Sequence, residues 1–141
     1  MSADLPPFLA RLQHATNAHG LDALVDCFDP AYRNETPAHP SRDFQGQSQV
    51  RTNWQQIFAF VPDIRTSVLR WAGDDSQVWS EWEMSGTRLD GTRHLMRGVI
   101  IFGLAAGRAI SARFYLEPVD DSVGTSVDDA VRHQVHADTP R

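Results

Sequence analysis

The sequence predicts an α+β fold: a strongly curved antiparallel β-sheet wraps around three N-terminal helices, giving a cone-shaped α+β barrel with a central cavity. Three observations predict it. Apolar residues recur at helical spacing before residue 62, strand-like runs fill residues 64–119, and three tight-turn sequences separate those runs. The length of 141 residues fits a single domain.

Three helices are predicted before the sheet begins. Residues 5–19 form the first, with Asp4 as its cap and Gly20 at its end. Apolar residues spaced three, four and seven apart predict a short second helix at residues 21–28. A third apolar stripe, which ends before a proline, predicts a helix at residues 46–61.

The strands follow from residue preference and from the turns between them. After Pro30, residues 31–36 alternate and form a short strand. Four longer strands are predicted at residues 64–72, 78–88, 94–104 and 108–119. The turns at 73–75, 89–91 and 105–107 have hairpin chemistry, so the four long strands form a continuous antiparallel sheet.

The chain divides into one domain, residues 1–119, and a C-terminal tail, residues 120–141. The tail starts with acidic residues and then shows helical spacing after Ser126. It is therefore partly disordered or a short helix.

The charge and hydropathy of the sequence limit the partners and the location that we expect for the protein. A net charge of −5 argues against a nucleic-acid partner, which requires a basic face. No apolar run approaches the roughly 20 residues of a membrane span, and no signal sequence is visible, so we expect a cytoplasmic protein. His133 and His136 share a helical spacing, but no third ligand is near in sequence. We expect no metal and no cofactor.

Alternation along the long strands predicts which residues face the helices and the cavity. The inner set is Val78, Trp82, Met84, Gly86, Met96, Gly98, Ile100, Phe102, Ile110, Ala112, Phe114 and Leu116. The outer, convex face carries charges that can pair across strands, together with exposed aromatic and aliphatic residues, Val99 and Ile101 among them. Such a face predicts a homodimer, centred on Trp71, Trp79, Glu81, Arg97, Arg113 and Tyr115.

The order of elements, the stretch from Tyr32 to Pro37, Gly46 at the start of helix three, and the final Arg113-Phe-Tyr-Leu-Glu resemble the nuclear transport factor 2-like superfamily. This superfamily includes SnoaL-like polyketide cyclases, ketosteroid isomerases and limonene-type epoxide hydrolases. The resemblance covers roughly residues 5–119, and it implies a cone-shaped fold with a cavity.

The limonene-type enzymes give the closest local resemblance, a Tyr-x-Asn pair on the short strand that helps to hold the attacking water. Tyr32 and Asn34 match that pair. Alignment on the strands puts Trp82 and Met84 where those enzymes carry Arg and Asp, and Phe114 where they carry the basic Asp. The resemblance therefore implies that neither epoxide hydrolysis nor the aldol cyclisation of the SnoaL-like enzymes has its usual acids here.

Three residues are candidates for catalysis. Tyr32 and Asn34 would orient a water or a carbonyl; alternatively, Tyr32 belongs to the core with a satisfied hydroxyl. His94 would be the general acid or base; alternatively, it is an exposed residue at a hairpin end. An acid from a loop, Glu35 or Asp43, is the other candidate base. The predicted ligand pocket is lined by Trp54, Trp82, Met84, Met96, Phe114 and Leu116.

Two classes of function follow. The first is a SnoaL-like enzyme with isomerase-, cyclase- or hydrolase-type acid–base chemistry on a small hydrophobic oxygenated metabolite. The second is a non-catalytic module of the same fold, which either binds such a ligand or serves dimerisation, with the cavity filled by its own side chains in the dimerisation case.

Overall fold

The structure, a computed structural model, describes residues 4–120 and 126–136. The helices are α1 (Pro7–Asn17), α2 (Leu21–Asp26), α3 (Gln47–Phe60) and α4 (Val127–Val135). The strands are β1 (Phe28–Glu35), β2 (Phe44–Gln45), β3 (Arg65–Gly73), β4 (Gln77–Thr87), β5 (Arg93–Ala105) and β6 (Arg108–Pro118), and a 3₁₀ turn covers Pro40–Arg42.

The strands form one sheet in the order β2-β1-β6-β5-β4-β3, which confirms the α+β class. Strands β3 to β6 are antiparallel neighbours, as their hairpin turns predict. Two details differ from the prediction: β1 pairs parallel with β6, and the sheet stays open, with β2 and β3 at its edges. No tight turn joins β1 to β6, so tertiary packing alone sets their relative direction.

Helices α1, α2 and α3 share one hydrophobic core with the inner face of the sheet. Helix α1 is also fixed to the edge strand β3 by polar side chains. Asn17 accepts a hydrogen bond from the N–H of Thr66 at 2.7 Å, and Gln13 accepts one from the N–H of Val68 at 2.8 Å. The cap position of α1 is Pro6, without a side-chain hydrogen bond, so the prediction of Asp4 as cap is wrong.

Strand β1 begins earlier than the sequence predicts. The predicted second helix extends to residue 28, whereas α2 ends at Asp26 and β1 starts at Phe28. Pro30 therefore lies inside the strand, where the pairing with β6 is irregular between Phe28 and Arg33. An irregular segment tolerates proline because it needs no ladder hydrogen bond from that residue.

A bulge changes the predicted faces at the start of β6. The register with β5 shifts between Ala109 and Ser111, which leaves Ile110 without a paired residue. Ile110 is 42% exposed, whereas Ala109 is completely buried. The prediction that Ile110 lies on the inner face is therefore wrong, and Ala109 takes that place.

Strand β3 has a bulge between Val68 and Arg70. The bulge puts Trp71 level with the buried Ser80, so the prediction that Trp71 lies on the outer face is wrong.

The outer face carries the cross-strand ion pairs that alternation predicts. Arg70 pairs with Glu81 at 2.7 Å and Arg97 with Glu83 at 2.8 Å. Ile101 belongs to this face but is buried, because large side chains on both neighbouring strands flank it.

In the tail, Ser126 caps helix α4 by accepting the N–H of Asp129 at 3.1 Å. The remaining tail residues, 121–125 and 137–141, lie outside the described ranges. Within the described ranges, every helix is too short or too polar to cross a membrane.

Candidate functional site

A cavity of about 300 Å³ lies between helix α3 and the inner face of the sheet. Most of its wall is apolar, and the polar side chains come from β1, the loop after β1, α3 and β5. The lining residues are Phe28, Tyr32, Asn34, Thr36, Arg42, Phe44, Val50, Asn53, Trp54, Ile57, Ile64, Met84, His94, Met96, Phe114 and Leu116. The volume suits a small organic molecule.

The structure brings most of the predicted site residues to this cavity. Tyr32, Asn34 and His94 line it, and so do Trp54, Met84, Met96, Phe114 and Leu116. The cavity between these residues is open. This argues against the alternative of a dimerisation module in which the protein's own side chains fill the cavity.

Trp82 is placed differently from the prediction. It faces inward, but it is only 1% exposed and lies within the core rather than in the cavity wall. Its indole Nε1 donates to the Oγ of Ser80 at 2.8 Å, and that hydroxyl donates to the carbonyl of Ile100. Trp82 is therefore a packing residue with a satisfied polar atom.

Tyr32 and Asn34 form a hydrogen-bonded chain along β1. The Tyr32 hydroxyl donates to Oδ1 of Asn34 at 2.7 Å, and Nδ2 of Asn34 donates to Oγ1 of Thr36 at 3.5 Å. Burial raises the pKa of Tyr32 far above its ordinary value, so the phenol stays neutral. The lone pairs of its oxygen and the second amide hydrogen of Asn34 remain to hold a water or a carbonyl.

His94 lies on β5 opposite Gly86 of β4, at the other end of the cavity wall. Burial, helped by the positive charge of Arg88, lowers the pKa of His94 below its ordinary value of 6.5. The imidazole is therefore neutral at pH 7 and able to accept a proton.

The sheet register separates His94 from the pair on β1. Asn34 is level with Ala112 of β6, and Ala112 is level with Phe102 of β5. Residues 94 and 102 are eight positions apart along β5, so His94 does not lie level with Asn34. His94 and the Tyr32–Asn34 pair therefore lie on different stretches of the cavity wall.

No carboxylate lines the cavity among the described residues. Both acids that were candidate bases have other partners, and Glu35 ends strand β1 rather than lying in a loop. Glu35 pairs with Arg113 at 3.2 Å, and Oδ1 of Asp43 accepts the N–H of Thr36 at 2.7 Å. No group of three or more His, Cys, Asp or Glu in the described parts of the chain is arranged to hold a metal ion.

Sequence reasoning missed three polar lining residues: Thr36, which accepts from Asn34, and then Arg42 and Asn53. Arg42 ends the 3₁₀ turn in a proline-containing loop, where no periodicity indicates which side chains approach the sheet. Asn53 lies beside Trp54 on α3, and a polar residue next to an apolar stripe is usually solvated. Neither Arg42 nor Asn53 carried a signal strong enough to select it.

The fold is nuclear transport factor 2-like, as solved structures with the same arrangement show. Similar solved structures include a Catenulispora acidiphila protein with a ketosteroid isomerase-like fold, in complex with trimethylamine (TM-score 0.69, 13% identity, 79% of this chain and 87% of that chain). Another is IdmH, a candidate polyketide cyclase from Streptomyces antibioticus (0.67, 18%, 80% and 93%). A third is an LEH-like epoxide hydrolase from M. tuberculosis (0.66, 14%, 78% and 80%).

At these identities the likeness shows the fold alone. No curated protein matches the sequence. The family model of the SnoaL-like domain matches residues 9–112. The chain therefore belongs to the SnoaL-like domain family.

Proposed function

We propose that the protein binds a small, hydrophobic, oxygenated metabolite in the cavity and performs isomerase-, cyclase- or hydrolase-type acid–base chemistry on it. The observation that carries this proposal is His94, a neutral imidazole in the wall of an otherwise largely apolar cavity. An imidazole that is neutral at pH 7 can accept a proton and later return it.

Each polar group then has a role. His94 removes or delivers the proton at one end of the ligand. Asn34 donates to a carbonyl or a water at the other end, and Tyr32 holds Asn34 in place through its 2.7 Å hydrogen bond. The apolar wall excludes water and binds the body of the ligand through Trp54, Met96 and Phe114.

The second candidate function is binding of the same ligand without turnover. It is favoured by the absence of carboxylates from the described cavity wall and by the hydroxyl proton of Tyr32, which is committed to Asn34. For either function we propose the cytoplasm as the location, since Cys27, the only cysteine, is buried and forms no intrachain disulfide.

A thermal-shift screen with steroids, terpenoid epoxides and aromatic polyketides tests the binding step. A compound that binds the cavity raises the melting temperature of the wild type, because it binds the folded state alone. Leu116→Trp, which fills the cavity, should lose the shift. Tyr115→Trp, at the outward-facing neighbour on the same strand, should keep it. Equal shifts in both variants would place the ligand elsewhere.

Hydrolysis of limonene-type epoxides is not expected beyond trace diol formation. Phe114→Asp should not restore it, because by the resemblance to limonene-type hydrolases Trp82 and Met84 stand where those enzymes keep charged partners, and an unpaired carboxylate is unfavourable in an apolar cavity. Diol yield from simple terpene epoxides measures this, with Tyr32→Phe as a second variant. Robust diol formation by the wild type would contradict it.

We also propose that the outer face of the sheet forms a homodimer. Trp79 and Tyr115 are 52% and 42% exposed there, next to ion pairs that can form a polar rim, whereas Trp71 lies on the other face of the sheet. A standard interface would bury about 1,600 Å² in total.

Sedimentation at high micromolar concentration should give a dimer for the wild type. Trp79→Arg should give a monomer, since it places a charge in the centre of the interface. Leu89→Arg is the matched control, because Leu89 is 66% exposed at a hairpin turn away from this face. A monomeric wild type would contradict the proposal.

A further inference from the structure

Arg42 is the one permanent cation in the described cavity wall. Its guanidinium has no hydrogen-bond or ion-pair partner among the residues that the structure describes, unlike Arg51, Arg97 and Arg113, which pair with carboxylates. Because His94 is neutral at pH 7, Arg42 sets the charge that a ligand meets in the cavity.

The loop that carries Arg42 is held on both sides. The N–H of Thr36 donates to Oδ1 of Asp43 at 2.7 Å, immediately after Arg42. Before it, Nε2 of His39 lies 3.2 Å from Oε2 of Glu117, beside the lining residue Leu116. The two contacts position the backbone of the 3₁₀ turn, and they occupy the nearby carboxylates.

The other polar groups of the wall also favour a ligand that accepts hydrogen bonds. Oδ1 of Asn53 accepts from Nε2 of Gln49 at 2.8 Å, which leaves the amide hydrogens of Asn53 without a partner in the described structure. The second amide hydrogen of Asn34 is similarly available. With no carboxylate in the described wall, an anion meets hydrogen-bond donors there and no acidic side chain.

We infer that the ligand carries a carboxylate, which Arg42 binds at the mouth of the cavity while an apolar body fills the interior. The inference rests on the proposed function and names its ligand class, an aromatic or terpenoid carboxylic acid. A guanidinium suits this group because its planar fork donates two parallel hydrogen bonds to a carboxylate. The exposure of Arg42 places the charged end near solvent, which limits the cost of desolvation.

Calorimetric titration with 4-biphenylcarboxylate and with its primary amide tests the inference, because the two probes differ mainly in charge. The acid should bind the wild type about tenfold more tightly than the amide. Arg42→Gln should remove this preference and leave the affinity for the amide unchanged. Arg33→Gln, an exposed arginine outside the cavity wall, is the matched control and should keep the preference.

Equal affinity for both probes in the wild type would overturn the inference and leave the proposed function intact. A preference that survives in Arg42→Gln, or is lost equally in Arg33→Gln, would also overturn it. If neither these probes nor the neutral compounds of the thermal-shift screen bind, the proposed function fails and the inference fails with it.

Discussion

Replacing His94 by alanine is expected to lower kcat by about 10²- to 10⁴-fold, the contribution typical of one general acid or base. His94 is the one group in the described cavity wall that can exchange a proton near neutral pH, since Tyr32 has a strongly raised pKa and carboxylates are absent there. Steady-state kinetics on the compound identified by the binding screen measures the effect.

The pH profile distinguishes a role in proton transfer from a structural one. Because burial lowers the pKa of His94 below 6.5, kcat/KM of the wild type should be constant around pH 7. It should fall as the pH decreases through that lowered pKa, since protonated His94 is not a base. The His94→Ala variant should lack this limb.

Arg93→Ala is the matched control, because Arg93 is the exposed neighbour of His94 on β5. It should keep the rate and the pH limb of the wild type. Full turnover by His94→Ala would contradict the role of His94. A ligand that binds the wild type tightly and is never converted would favour the second candidate function.

Trp82→Ala is expected to lower the free energy of unfolding by about 3–5 kcal/mol, the cost typical of a large aromatic removed from a core. Trp82 is 1% exposed, and its removal leaves an empty volume and a hydroxyl of Ser80 without its donor. Denaturant titration measures the change, and an unaltered m-value would show that the unfolding transition remains comparable.

Trp79→Ala is the control for size, because Trp79 lies on the same strand with 52% of its surface exposed. At concentrations where the protein is monomeric, its effect should be about 1 kcal/mol, well below that of Trp82→Ala, because Trp79 covers part of Ile101. If Trp82→Ala instead leaves stability unchanged and weakens ligand binding, Trp82 belongs to the cavity wall after all.

Local sequence determined much of the fold. Three hairpin turns required β3 to β6 to be antiparallel neighbours, and period-two alternation correctly separated the buried Val78 from the exposed Trp79. The same alternation placed Met84, Met96 and Phe114 toward the cavity. These features are predictable because a turn and a pleat depend on residues close together in the chain.

Tertiary structure alone decided the rest. The parallel pairing of β1 with β6 joins segments far apart in sequence, and the bulge at Ile110 depends on the register with β5. Alternation assigned Trp82 and Met84 to one face, but only packing placed Trp82 in the core and Met84 in the cavity wall. Arg42 reaches the cavity because contacts with Thr36 and Glu117 hold its loop there. The face of the sheet on which a side chain lies follows from local backbone geometry. How deeply that side chain is buried, and where a loop lies, follow from contacts between segments distant in sequence.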